Sequence, residues 1–439
     1  MRHLGRFMLA ATLLLGVLFV LPEDATSKNG DDGEKEEKLP QMSENAPLEI
    51  EIWGGIRDLY KIAVPTPIGT GGLAKEVQSV ASQDFKLSSL FEVLDPKSYI
   101  ADIAAEGLSI QKDPWVQVGA QGVSKCRVTD ASGQVKLECR LFEVARGDTP
   151  VLSKTFQGEK DKVRLLVHQW VNKVIGYFTG EDGVFGTQLL FSRKVSEKIK
   201  HIMVADWAGG KVGRITKNNS INLLPAWGPG GSIFYTSFVE GFPYLYRTGQ
   251  RKPVLKNPGL NMGAAFHGNR MAVVLSKDGN PEIYVGNADG SGLRRLTNSG
   301  SIDVSPSWSP DGSKIAFVSD RHGSPQVFVM GAGGGGAKRV TYKGSYNQTP
   351  SWCPKPGSNL IAFTGRDSGT YDIFTVDAGS GQIRRLTQRQ GRNMDPAFSP
   401  DCRAVAFHSS RGGIFISNPE GLNQNLTVKG PADTLRWSN

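Results

Sequence analysis

Six times in its C-terminal part the chain returns to a bulky aromatic residue at the end of a short apolar run. These anchors are Trp227, Phe266, Trp308, Trp352, Phe398 and Trp437, at spacings of 39, 42, 44, 46 and 39 residues. A period in that range suits one four-stranded blade of a β-propeller, a unit that cannot bury its own faces and so must stack on its neighbours in a ring. The clearest copies run Ser307-Trp308-Ser309-Pro310-Asp311-Gly312, Ser351-Trp352-Cys353-Pro354 and Ala397-Phe398-Ser399-Pro400-Asp401. Pro-Asp-Gly is turn chemistry, with Pro presetting φ and Gly tolerating φ > 0. The last anchor has no strands after it, while Gln188 to Ser192, His201 to Asp206 and Val212 to Thr216 read as three strands without an anchor. Joining the two sets makes a sixth blade and pairs both ends of the ring, which removes exposed edges.

The chain has 439 residues, more than one ordinary core supports. The reading divides it into a signal peptide over 1–27, a flexible charged leader over 28–47, an α/β domain over 48–183 and a six-bladed propeller over 184–439. Arg2 and Arg6 precede an apolar run from Phe7 to Leu21, and Pro22-Glu23-Asp24 stops it. As a helix that run spans about 22 Å, short of the roughly 30 Å hydrocarbon core. Export with cleavage after Ser27 is expected, Ala25 being a second candidate and an uncleaved anchor the alternative. No later segment is apolar for long enough to span a membrane. Residues 186–439 hold 30 Lys and Arg against 16 Asp and Glu, more than the whole net charge of +9. A basic surface attracts nucleic acid, anionic lipid or an acidic protein; export makes nucleic acid the least expected of these, and a merely solvated surface is the alternative.

In the α/β region Leu48 to Trp53 alternates apolar and acidic, Tyr60 to Val64 is a strand, and Leu73, Val77, Val80 and Ala81 have helical spacing. Phe91 to Leu94 returns as a strand. Trp115 to Val128 and Val135 to Val144 form a hairpin about Ser132-Gly133, and Val151 to Phe156 adds a strand. A closing helix after Asp161 carries apolar residues at 163, 166, 167, 170, 171, 174, 175 and 178, a stripe that packs on a sheet. Its other face, with Arg164, His168 and Asn172, is expected in solvent. A two-residue turn at Ser132-Gly133 sets Cys126 opposite Cys139, so an exported chain is expected to join them, two buried thiols being the alternative. Cys353 and Cys402 fall in different blades at different offsets and are expected reduced.

Three motifs resemble chemistry without its context. Gly69-Thr70-Gly71-Gly72-Leu73-Ala74 fits a dinucleotide fingerprint, but Pro65 and Pro67 draw out the turn that motif needs tight. The glycine run before Lys338 places the lysine one position late for a phosphate loop and joins two strands. His267, His322 and His408 stand at unequal offsets from their anchors, so the repeat does not converge them. No catalytic residue, metal ligand or cofactor is expected.

The turn repeats, with their SDR-like and RLT-like followers behind a small exported α/β domain, resemble the TolB family, periplasmic propeller proteins of the bacterial Tol-Pal envelope system. The resemblance implies a monomeric scaffold that binds the lipoprotein Pal at the propeller and TolA through an extended N-terminal strand, serving outer-membrane integrity and constriction during cell division. The matching strand holds Leu48, Ile50, Ile52 and Trp53, preceded here by a charge-rich leader of about twenty residues. Asn222, Asn261, Asp303, Asn347 and Asn393 stand five before their anchors and Asp433 four before Trp437. Six-fold repetition sets them in a ring at one mouth, and with the larger neighbours Met262, Gln348 and Met394 they are the expected Pal site. The alternative is that each caps its own turn. A second functional reading is a propeller enzyme acting on a peptide or carbohydrate.

Overall fold

The computed structural model describes residues 59–69, 71–367 and 369–438. The expected signal peptide, leader and strand over Leu48 to Trp53 fall outside the described residues.

The first domain is a mixed sheet. Its elements are β1 (Tyr60–Ala63), β2 (Ile68–Gly69), α1 (Gly71–Leu87), β3 (Phe91–Val93), α2 (Ile103–Glu106), α3 (Lys112–Gln117), β4 (Gly122–Ala131), β5 (Gln134–Glu143), β6 (Leu152–Glu159) and α4 (Val163–Thr179). Strand order is β3-β1-β4-β5-β6, with β2 beside β4, and β1 runs parallel to both β3 and β4. The apolar stripes of α1 and α4 close one face, on Val128, Leu137 and Leu141 among others. Trp115, placed at the start of a hairpin strand by the sequence reading, lies instead in α3 and fills the opposite face beside Val123 and Phe142. Pro114 within the first turn favours that helix, since its missing N–H is one no helix pairs there. Cys126 faces Cys139 across β4 and β5 and the two form a disulfide, Cα–Cα 4.1 Å. Gly69 owes its place to crowding: a Cβ there would sit 2.1 Å from the Val128 carbonyl oxygen.

Six blades follow, whose innermost strands are Asn222–Trp227, Asn261–His267, Asp303–Trp308, Tyr346–Trp352, Asn393–Phe398 and Asp433–Trp437. The last of these pairs antiparallel with Gln188–Ser196, Arg436 opposite Leu190 and Trp437 opposite Leu189, so the C-terminal strand completes a sheet begun before the first full blade. All six inner strands slip register at one place, and the residue three before each anchor has positive φ there: Leu224, Gly263, Ser305, Thr349, Asp395 and Thr434. Only one of them is glycine. A left-handed residue costs on the order of 1 kcal/mol, so its recurrence shows that the bend near the axis is demanded by the ring. The backbone amides freed by the bulges find acceptors on the preceding blade: Leu224 on Thr434 Oγ1 at 3.3 Å, Asp395 on Thr364 Oγ1 at 2.9 Å, Thr434 on Asp395 Oδ2 at 2.9 Å.

Cys353 and Cys402, expected reduced, are joined in a disulfide, Cα–Cα 5.7 Å. The correction follows from how blades lean on each other. Position +1 after an anchor meets position +4 of the following blade. His267 and Gly312 stand in that relation, a Cβ on Gly312 falling 2.4 Å from the His267 ring. Cys353 and Cys402 occupy the same two positions two blades further on, so unequal offsets bring them together.

Candidate functional site

The inner strands all run the same way, which gives the propeller two unlike mouths. At the starting ends stands the expected Asn/Asp ring; at the finishing ends stand the anchor aromatics. The structure brings the six ring residues to one level but turns them into the wall. Asn222, Asn261, Asp303, Asn347 and Asn393 are buried, as are Met262, Gln348 and Met394. Asn222 Nδ2 donates to Lys200 O at 2.8 Å and Asn218 Oδ1 at 2.7 Å. Asn261 Nδ2 donates to Asn257 O, and its Oδ1 accepts from Asn257 N, both at 2.8 Å. Asp303 accepts both contacts from Arg321 Nη2, at 3.2 and 3.0 Å. Asn347 Nδ2 donates to Gln326 Oε1 at 2.7 Å and Lys343 O at 2.8 Å, and Asn393 Nδ2 to Gly391 O at 3.2 Å. Asp433 pairs with Lys200 at 2.7 Å. The four asparagines thus fasten the loops that lead into their own strands, while Asp303 and Asp433 pair with Arg321 and Lys200 from outside those loops, and what this mouth offers outward is the loops so held.

Those loops carry what periodicity did not point out. Val195 and Phe242 are 62% and 61% exposed, and Val239 and Tyr342 are about half exposed. All four lie on turns or strand ends of this asparagine mouth, where Ser192 pairs with Asp433 and Ser237 with Asn222. The twelve loops along the face hold nine Lys and Arg against four Asp and Glu.

The other mouth carries the α/β domain, over blades five and six with a contact to blade four. His168 is buried rather than solvated as the helix pattern suggested, because its side of α4 rests on blade six and not on water. Its Nδ1 lies 2.6 Å from Asp84 Oδ2 of α1 and its Nε2 2.7 Å from Asp206 Oδ2 of the propeller. Arg164 Nε reaches the same Asp206 oxygen at 2.9 Å. Burial works against a charged ring, but Asp206 and Asp84 overcome it and raise the His168 pKa to about 9. Burial pushes Asp84 up to about 6 against the pull of His168. Asp206 stays below the usual range, its own burial being outweighed by His168 and Arg164. Gln83 Nε2 donates to Ala208 O at 2.5 Å, Asn423 Nδ2 to Lys86 O at 2.8 Å, and Glu181 accepts from Lys355 at 2.7 Å. A ladder of rings, His168 on Phe185, Phe185 on Trp207 and Trp207 on Trp437, links α4 to the final anchor. The histidines of the blades stay apart: His267 lies against Trp308 and His322 against Phe328.

Fold and faces together define a two-domain propeller protein, with an α/β domain fixed to one mouth of a six-bladed ring and the other mouth left open. Residues 48–149 match the TolB amino-terminal domain and residues 176–367 the TolB beta propeller domain, and the chain belongs to the TolB family. It is 39% identical over 247 residues to the Tol-Pal system protein TolB of Anaeromyxobacter dehalogenans strain 2CP-C, covering 54% of this chain and 56% of that protein. It is 31% identical over 257 residues to the TolB homolog of Chlorobium luteolum, covering 56% and 58%. The chain thus aligns with little more than half the length of the curated relatives it matches. The crystal structure of TolB from Acinetobacter baumannii superposes with a TM-score of 0.76 at 25% identity, over 87% of this chain and 97% of that one.

Proposed function

We propose that the protein is a non-catalytic periplasmic scaffold of the Tol-Pal system, exported by residues 1–27, monomeric, and holding two partners by separate parts. The lipoprotein Pal binds the asparagine mouth and TolA binds the strand holding Leu48, Ile50, Ile52 and Trp53, in the service of outer-membrane integrity and constriction at division. The observation that carries the first assignment is the contrast on the ring: the α/β domain sits over one side of one mouth, and the mouth away from it exposes Val195, Val239, Phe242 and Tyr342 amid net positive charge. Exposed aromatics on a rigid rim are the usual anchors of a protein interface. The residues Asn222, Asn261, Asp303, Asn347, Asn393 and Asp433, with Met262, Gln348 and Met394 behind them, set the loop shape that Pal reads.

Calorimetric titration with the soluble domain of Pal tests this. Replacing Phe242 and Tyr342 together by Ala is expected to weaken binding by about 2 kcal/mol, roughly thirtyfold, and to leave the melting temperature within a degree or two. Unchanged affinity would remove this face from the interaction. Removal of residues 28–53 is expected to abolish TolA capture while Pal binding persists; retained TolA binding would place that contact elsewhere.

A further inference from the structure

The aromatic mouth holds a cavity of about 130 Å³ lined by every blade and by no residue of the α/β domain. The residue directly before each anchor faces it, and these are Ala226, Ala265, Ser307, Ser351, Ala397 and Arg436. Five blades keep the position small. Two of the five also use it to stitch the ring, Ser307 Oγ accepting from Trp352 N at 2.9 Å and Ser351 Oγ from Phe398 N at 3.3 Å. The sixth blade breaks the rule with a guanidinium, and the space that five small side chains leave open is what it enters.

Arg436 is poorly served there. Its Nη1 donates to Leu435 O at 2.7 Å, and no carboxylate among the described residues comes within 4.0 Å of it. Asp395, in the bulge of blade five, is the carboxylate whose field it feels, but that group already accepts from Thr434 N, and burial raises its pKa so that it takes a proton more readily than a surface Asp. A guanidinium taken out of water without a counter-charge is costly, and the mouth is open to whatever anion fits. Above it stand Trp308, Trp352, Phe398 and Trp437, with the indole N–H groups of Trp308 and Trp352 committed to Ala265 O and Ser358 O. The collar therefore sets aromatic faces beside polar atoms, those of Ser307 and Ser351 among them, around a single cation that has no counter-charge.

We propose that this mouth is a binding site for a small organic carboxylate, its carboxylate paired with the Arg436 guanidinium and its apolar body, about the size of one ring, seated among the anchor aromatics. A planar guanidinium matches a carboxylate by two parallel N–H···O contacts, and a cavity of this order takes a benzene-sized body. The site lies at the opposite end of the channel from the proposed Pal face and stands or falls apart from it.

Benzoate and its neutral isostere benzamide are the probes, titrated against the mature protein with intrinsic fluorescence as the readout, since Trp227, Trp308, Trp352 and Trp437 line the cavity. Benzoate is expected to give a saturable change, and benzamide and the R436Q variant to bind it at least about tenfold more weakly. Arg436→Lys, which keeps the charge and loses the fork, should fall between. Equal binding of benzamide, or undiminished binding of benzoate by R436Q, overturns the proposal, as does the lack of any saturable change. If R436Q does not fold, Ala265→Leu fills the cavity from blade two and leaves Arg436 in place; benzoate binding that survives it also overturns the proposal.

Discussion

The two mouths of the propeller are built from the same six strands and are held together by different means. The aromatic mouth is tied covalently by Cys353–Cys402 and weighted by the docked α/β domain. The asparagine mouth is held by hydrogen bonds between buried Asn side chains and their own loops and by the ion pairs of Asp303 and Asp433, and it shows its apolar groups to solvent. The difference teaches that a repeated polar residue at a mouth is not thereby a contact residue. At the asparagine end the repeat serves the frame, and the surface available to a partner is in the loops, where the copies differ. At the aromatic end the repeat again serves the frame, and the departure from it, Arg436, is the group with chemistry to spare.

The largest effect should come from cutting the covalent tie. Replacing Cys353 and Cys402 by Ser opens a loop of 49 residues, which in a chain-entropy account costs about 4 kcal/mol. Denaturant unfolding should register that loss, with affinity for a partner at the asparagine mouth unchanged in native buffer. Thiol titration of the denatured, unreduced wild type is expected to find none free; two free thiols would mean that one of the two bridges does not form.

A somewhat smaller loss, about 3 kcal/mol, is expected of Asp303→Ala, which leaves the Arg321 guanidinium in a half-buried site without its carboxylate. Any weakening of Pal binding in that variant should track its melting temperature. Should affinity collapse while the melting temperature holds, the ring touches the partner after all and the contrast between the mouths fails.

The smallest effect concerns the docked domain. His168 rises from an ordinary value of 6.5 to about 9 in the folded protein, held by Asp84 and Asp206 with Arg164 alongside. A group raised on folding stabilises fully below its unfolded pKa and loses that contribution as pH climbs through the folded one. The advantage of the wild type over His168→Gln should thus be largest near pH 6.5 and shrink by on the order of 1 to 2 kcal/mol by pH 9 to 10. Asp84, raised to about 6, works in a lower window and opposes stability as pH rises through it. Paired thermal melts across pH 6 to 10 measure this; a constant difference would mean that the ring is neutral in the folded state.

Much of the ring was legible because propeller blades announce themselves twice, in a period and in turn chemistry. Ser309, Asp311 and Ser313 show why: the Asp311 carboxylate accepts from both hydroxyls and from the Ser313 amide, so that local sequence alone closes the turn. Cys126 opposite Cys139 likewise follows from a two-residue turn and strand alternation. The pairing of Cys353 with Cys402 does not, because it depends on how far one blade is rotated over the next. Five of the six bulges are equally silent, since Leu224, Ser305, Thr349, Asp395 and Thr434 carry no mark of positive φ.

By itself, then, the chain determined what is repeated and local: the blade count, the closure by its last strand, the turns, and the polar residue that opens each inner strand. Tertiary structure alone decided what each repeated residue faces. The apolar stripe of α4 could be read from spacing, but whether His168 opposite it met water or Asp206 depended on a second domain arriving there. Periodicity reports which side chains share a side of an element. What covers that side is set by contacts between residues far apart in the chain, whose distances no local pattern encodes.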